Sequence, residues 1–212
     1  MKNAEKAIRD KGCFIAVLGG GNTPKYINCK IVELNLKYKV DWNNVYIILS
    51  DERWVKEQDA LSNFKLMLET LIIPLNIKSF YNIYSGRRTI EEDAEAYSDY
   101  IENLLKSLGQ EEFDYALLGV GNDGHTASLF PGRKHLAAKG KQVICGGKGP
   151  EGTERISLSY EALNKCKLVS FLVNSPGKER ILHLMEHEWN PNKYPIQNIS
   201  VPKNIYLLQE EQ

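Results

Sequence analysis

The chain has 212 residues with 27 basic and 27 acidic side chains, a formal net charge of zero. That length suits one large domain with a sizeable core, and the balanced charge offers no basic face, so no nucleic-acid partner is expected. The longest apolar run, Phe14–Leu18, is far short of the roughly 20 residues that span a bilayer, and the charged amino-terminal stretch lacks the apolar core of a signal peptide, so no membrane partner and a cytoplasmic location are expected.

Short β-rich runs alternate with stretches of helical period along the whole chain. Strands are predicted at Phe14–Leu18, Val45–Leu49, 115–118, 169–173 and 205–208. The clearest helix covers 89–108, with Ile90, Ala94, Tyr97, Ile101, Leu104 and Leu108 on one stripe, a capping box from Thr89 to Glu92, and Gly109 as the exit. Such alternation predicts an α/β fold of three layers, an open and mostly parallel sheet with helices on both faces, Rossmann-like but modified. With no repeat or linker in sight, residues 1–212 read as a single domain. The glycine-rich run 145–152 reads as a mobile surface loop. Cys13, Cys29, Cys145 and Cys166 form no C-x-x-C pair. The first two and Cys166 lie in or beside apolar segments, where a free cysteine behaves as a small hydrophobe. Asn198-Ile-Ser200 spells a glycosylation acceptor that a reduced compartment would leave unused.

In an open α/β sheet, ligands bind beyond the carboxyl ends of the strands, so the residues after each strand carry the functional reading. After the first strand, Gly19, Gly20, Gly21 and Asn22 lead to Thr23 as a helix N-cap and Pro24 at the first helical position, a candidate phosphate seat without P-loop spacing. After the second come Asp51, Glu52 and Arg53. The planar fork of Arg53 suits phosphate or carboxylate, Asp51 could orient that arginine or a substrate hydroxyl, and Glu52 reads as a solvated turn residue.

After the third strand lies the most informative stretch, residues 119–132. Gly119, Gly121 and Gly124 spell the G-x-G-x-x-G of a dinucleotide fold, yet Pro131 cuts the following helix short and 139–143 offers no carboxylate for a ribose, so no nicotinamide or flavin cofactor is expected. The glycines instead allow a sharp turn and close approach to a ligand, with Gly121 and Gly124 counted among the substrate-binding positions. His125 is expected at the amino end of a short helix, where the dipole keeps its imidazole neutral for general-base work, with Asp123 orienting the turn or the histidine. After the fourth strand, Ser175 and Pro176 suggest a helix start with Lys178 in its first turn. Arg155, opening 155–159, supplies another cation if its strand lies near. No cluster of His, Cys or carboxylates has ligand spacing, so no metal is expected. These loops predict acid–base chemistry on a small phosphorylated molecule.

In this order they resemble the 6-phosphogluconolactonase family, which shares a superfamily with the glucosamine-6-phosphate isomerases. The resemblance runs from about residue 14 to the end and is most specific at Gly121-Asn-Asp-Gly-His-Thr-Ala-Ser-Leu-Phe-Pro-Gly132, with support from Asp51-Glu-Arg53, Ser62-Asn63, Thr23-Pro24, 155–159 and Gly177-Lys178. It implies a three-layer α/β fold and hydrolysis of 6-phosphogluconolactone to 6-phosphogluconate in the oxidative pentose phosphate pathway. It also separates the branches. The isomerases carry a carboxylate five residues after the equivalent histidine, where this chain has Phe130, and their second loop typically lacks an arginine at the position of Arg53.

The chain departs from the family in four places. Its first loop has Gly19 and Asn22 where serines are usual, Lys56 replaces a usual proline, Ser175 replaces a usual glycine, and the region ahead of the first glycine loop is expected to be shorter than in the family, which generally places another strand and helix segment there. The expected mechanism is His-assisted attack of water on the lactone carbonyl by a monomer or weak homodimer. The backbone donors of the glycine turn, with Arg53, would meet the oxyanion. The alternatives are a glucosamine-6-phosphate isomerase/deaminase and a non-catalytic sugar-phosphate sensor.

Overall fold

The computed structural model describes residues 1–133, 139–174 and 178–208. The chain opens with helix α1 (Lys2–Lys11), which the sequence pattern did not suggest, and Gly12 closes it at φ 84. Strand β1 (Phe14–Leu18) is buried along its whole length, as an apolar run covered on both faces must be. Helix α2 (Asn22–Leu34) leads to β2 (Val45–Leu49), which passes through Ser50 directly into β3 (Asp51–Arg53). A helical stretch follows, α3 (Asn63–Met67) running through a π-turn (Leu68–Ile72) into α4 (Ile73–Leu75), then the short β4 (Ser79–Phe80).

Helix α5 (Ile90–Ser107) carries the predicted capping box. The Glu92 N–H donates to Thr89 Oγ1 at 3.2 Å, and the Thr89 N–H donates to Glu92 Oε2 at 2.8 Å. Its stripe is as expected, with Ala94, Tyr97 and Ile101 buried. The rest comprises β5 (Tyr115–Gly119), β6 (Val143–Lys148), β7 (Glu154–Leu158), α6 (Tyr160–Leu163), β8 (Val169–Asn174), α7 (Glu179–His187) and β9 (Lys203–Leu208).

Six strands form a parallel sheet in the order β4-β2-β1-β5-β8-β9, and the five strands predicted at 14–18, 45–49, 115–118, 169–173 and 205–208 belong to it. The chain moves outward from β1 to β2 and β4, then crosses back to β5 on the other side of β1. The strand order therefore reverses between β1 and β5, which opens a crevice at their carboxyl ends.

The second sheet was not foreseen. It is antiparallel, ordered β3-β7-β6, and it includes part of the run expected to be a surface loop, since Cys145 to Lys148 belong to β6. Alternation in so short a strand as β3 is hidden by its charge, and only its pairing with β7, Asp51 to Arg53 against Ser157 to Arg155, makes it a strand. Ser50 joins the two sheets, its N–H donating to Leu18 O at 2.9 Å and its carbonyl accepting from Leu158 N at 2.8 Å. The cysteines are all free; Cys13 and Cys166 are buried as expected, but Cys29 is exposed on α2. Among the described residues no helix is long and apolar enough to cross a membrane.

Candidate active site

A cavity of about 360 Å³ opens at the crevice between β1 and β5, and it is lined from all four predicted loops. The residues that contribute are Gly20, Gly21 and Thr23; Asp51 and Arg53; Gly121 and His125; Arg155; and Lys178. Asp123 and Gly124 stand behind this lining.

The histidine turn is held by short-range bonds. Gly121 N donates to His125 O at 2.8 Å, Gly124 N donates to Gly121 O at 3.0 Å, and Thr126 Oγ1 donates to Gly119 O at 2.9 Å. No helix follows. Residues 121–133 form successive turns, with Ala127 at φ 49, so the dipole expected to keep the imidazole neutral is not there. The asparagine, aspartate and glycine of residues 122–124 favour tight turns over helix, and Asp123 Oδ1 accepts from His125 N at 3.2 Å in the manner of such turns. The same carboxylate oxygen lies 2.5 Å from His125 Nδ1. Burial alone would raise the Asp123 carboxyl, but the bonds to His125 hold it below its ordinary value. An ionised carboxylate only accepts, so the Nδ1 proton is pinned there and the lone pair falls on Nε2.

Gly121 is required by close approach. A Cβ there would stand 2.1 Å from His125 Nδ1. Gly124, at φ 81 and packed against Tyr194, is not among the residues that line the cavity. The N–H groups of Gly121 and Gly124 are already spent inside the turn, donating to His125 O and Gly121 O.

The opposite wall is built from the antiparallel sheet. Arg53 and Arg155 face each other across β3 and β7. Asp51 is buried and accepts from Ser50 Oγ at 3.0 Å and Ser128 Oγ at 2.7 Å, with Arg155 Nη1 at 3.7 Å, so the arginine it orients is Arg155 and not Arg53. Arg53 instead donates through Nη1 to Leu61 O at 3.0 Å and to Asn63 Oδ1. The Asn63 amide donates to Asp51 O at 2.8 Å, and a Cβ on Gly20 would meet its Oδ1 at 1.8 Å, so the first glycine loop and the arginine wall touch through Asn63.

Glu52 is 1% exposed, not solvated. It accepts from the backbone N–H groups of Arg53 and Asn63 at 2.7 Å and of Phe64 at 2.6 Å, clamping the start of α3 against β3. Burial pushes its carboxyl up to about 7 against the pull of those donors.

The first loop differs in detail from the expectation. Helix α2 starts at Asn22 with Gly21 as N-cap at φ 107, so Thr23 is not the cap and Pro24 lies within the first turn. Proline is tolerated there because the first N–H groups of a helix have no intrahelical acceptor. The helix start still faces the cavity through Gly21 and Thr23; the side chain of Asn22 lies outside the described ones.

Lys178 is the N-cap of α7, one position ahead of the helix it was expected to enter, while Ser175, Pro176 and Gly177 lie outside the described residues. Its ammonium donates to Val120 O across the histidine turn, and burial lowers its pKa while Asp123 acts to raise it. A half-buried cation, two guanidiniums and a helix start around one cavity make a seat for an anion beside an imidazole.

Residues 1–207 match the family described as glucosamine-6-phosphate isomerases/6-phosphogluconolactonase. The chain belongs to this family. A 6-phosphogluconolactonase from Thermotoga maritima is 34% identical over 186 residues, spanning 86% of this chain and 78% of the relative. One from Synechocystis is 29% identical, spanning 98% of this chain and 86% of the relative. The crystal structure of the Thermotoga maritima 6-phosphogluconolactonase matches with a TM-score of 0.83 at 29% identity, over 97% of this chain and 89% of that one. The chain is thus an enzyme of the lactonase branch, as the sequence resemblance implied.

Within the glucosamine-6-phosphate isomerase/6-phosphogluconolactonase family the expected branch marker, Phe130, lies where it matters. Its ring centroid is 4.7 Å from that of His125, and it lines the cavity. Three residues were not among the predicted site positions. Asn63 was visible only as part of the quoted Ser62-Asn63 pair, Ser128 only as a letter of the histidine stretch, and Glu151 had no signal at all.

Proposed function

We propose that this protein hydrolyses 6-phospho-D-glucono-1,5-lactone to 6-phospho-D-gluconate, the ring-opening step of the oxidative pentose phosphate pathway, as a single cytoplasmic domain, monomeric or weakly dimeric. The observation that carries the reading is that His125, held through Nδ1 by Asp123, lines the same cavity as Arg53, Arg155, Lys178 and the start of α2.

In this mechanism Arg155, Lys178 and the α2 start hold the 6-phosphate, which brings the lactone carbonyl to the imidazole and replaces an encounter by an oriented attack. His125 Nε2 takes a proton from water as the water oxygen bonds to C1. Arg53 donates to the carbonyl oxygen as it gains charge, the N–H groups of Gly121 and Gly124 being spent inside the turn. The C1–ring oxygen bond then breaks, and imidazolium returns its proton to the leaving alkoxide. Asp123 acts as the orienting partner throughout and never as the base. The aromatic ring of Phe130 cannot transfer a proton to a sugar ring, which speaks against the isomerase reading.

The test is His125→Ala, with lactone hydrolysis measured above the spontaneous rate. The variant should lose about 10²–10⁴-fold in kcat. Near wild-type turnover would remove His125 from the chemistry. Lys178→Ala should chiefly raise KM for the phosphorylated lactone, with little change for unphosphorylated gluconolactone; equal effects on both would remove the phosphate from the argument.

A further inference from the structure

The anion seat already contains an anion. Residues 149–153 form the turn joining β6 to β7, closed by Gly149 N donating to Thr153 O at 2.8 Å and Gly152 N donating to Gly149 O at 2.9 Å. From this turn Glu151 enters the cavity. Its Oε1 accepts from Thr153 Oγ1 at 2.6 Å and from Arg155 Nη2. Burial alone would raise this carboxyl, but Thr153 and the charges of Arg155 and Arg53 hold it below its ordinary value, so it is ionised at neutral pH.

Glu151 thereby occupies one arm of the Arg155 fork. Nη2 is bonded to Glu151, Nη1 looks toward Asp51 at 3.7 Å, and Nε is buried without a partner. The backbone of Gly149 covers Nε so closely that a Cβ would stand 2.7 Å from it. With Nε covered by Gly149, an arriving anion can take both Nη atoms of the fork only by displacing Glu151 from Nη2. Asp51 cannot yield: its side chain is 10% exposed and is fastened by Ser50 and Ser128. Glu151, at 29% on a surface turn, can swing outward. Charge favours the exchange. With Glu151 in place, three cations face two carboxylates across the cavity; with it displaced, the two remaining positive charges match a phosphate dianion.

We infer that Glu151 is a tethered occupant of the phosphate seat, displaced when a phosphate dianion binds Arg155 and returning to the guanidinium when it leaves. A tethered carboxylate competes at an effective concentration in the millimolar range, which keeps weakly held monoanions off Arg155. The inference rests on the phosphate seat proposed above.

The test uses inorganic phosphate as probe, titrated calorimetrically at pH 8 into the wild-type protein, Glu151→Gln and Glu151→Ala. Glutamine keeps the size of the side chain and its bond to Thr153 but lacks the charge that competes. Phosphate affinity should rise about 3- to 10-fold in both variants, the scale of a half-exposed ion pair with one charge-assisted hydrogen bond. KM for the phosphorylated lactone should fall by a similar factor. Unchanged or weaker phosphate binding would show Glu151 to be a support for Arg155 and overturn the inference, as would phosphate binding to none of the three proteins. The titration needs no turnover, so it stands apart from the loss of activity that tests His125.

Discussion

The two walls of the cavity are built on different principles. The histidine wall is largely local: Asp123 and His125 are two positions apart, and the bonds that fold the turn around them run within 119–126, while Lys178 and Ile196 donate to Val120 O and Gly124 O from outside it. The arginine wall is assembled from distant segments. Ser128 reaches Asp51 across 77 positions, Arg155 meets Asp51 across a strand pairing, and Glu52 fastens the start of α3 from 11 and 12 positions away. In the proposed mechanism the local wall carries the acid–base chemistry, and its close contacts leave little room for change in its own letters. The long-range wall carries charge placement, and its strength is spread over many partners.

This contrast can be broken most severely on the local side. Asp123→Asn leaves an acceptor oxygen but no charge to fix the Nδ1 proton, and kcat should drop about 10- to 100-fold with KM nearly unchanged. The pH–rate profile of the variant should shift as well, which a change in folding alone would not produce.

The joint between the two walls is the next target. Gly20→Ala drives a methyl into Asn63 and should cost about 1–3 kcal/mol in urea unfolding, with a raised KM because Arg53 loses its partner. On the long-range side, Glu52→Ala strands three buried backbone N–H groups and should cost about 1–3 kcal/mol.

The pH dependence of that loss has a definite sign. The folded protein holds the Glu52 proton up to about 7, against an ordinary 4.5, so between those values the folded state binds more protons than the unfolded one. The stability Glu52 contributes is therefore full below about 4.5 and declines as pH rises toward 7. The gap between wild type and Glu52→Ala should narrow from pH 5 to pH 8; a widening gap would mean that the backbone donors outweigh burial. The smallest effect is expected at Gly19→Ser. A Cβ there meets only Ser50 Oγ at 3.4 Å and Leu117 O at 3.8 Å, so stability should stay within about 0.5 kcal/mol of wild type.

What could be read without the fold follows the same division. The parallel strands, the α5 capping box and the family resemblance come from patterns a few residues long, because burial on both faces of a strand and bonding at a helix end leave local traces. That His125, Arg53, Arg155 and Lys178 line one cavity, with Asp123 on His125, was legible for the same reason: each follows or opens a recognisable strand. The short helix after His125 misled, since a turn and a helix start use the same small polar residues and the Asp123–His125 bond decides between them.

The chain by itself thus determined which side chains are available and that four loops end on one edge of a sheet. Only the tertiary structure decided that Glu52 is buried, that Asp51 serves Arg155, that β3, β6 and β7 form a second sheet, and that Glu151 sits on the guanidinium of Arg155. Those facts depend on which distant backbones come to lie side by side. A charged residue looks the same in sequence whether water or another charge completes it.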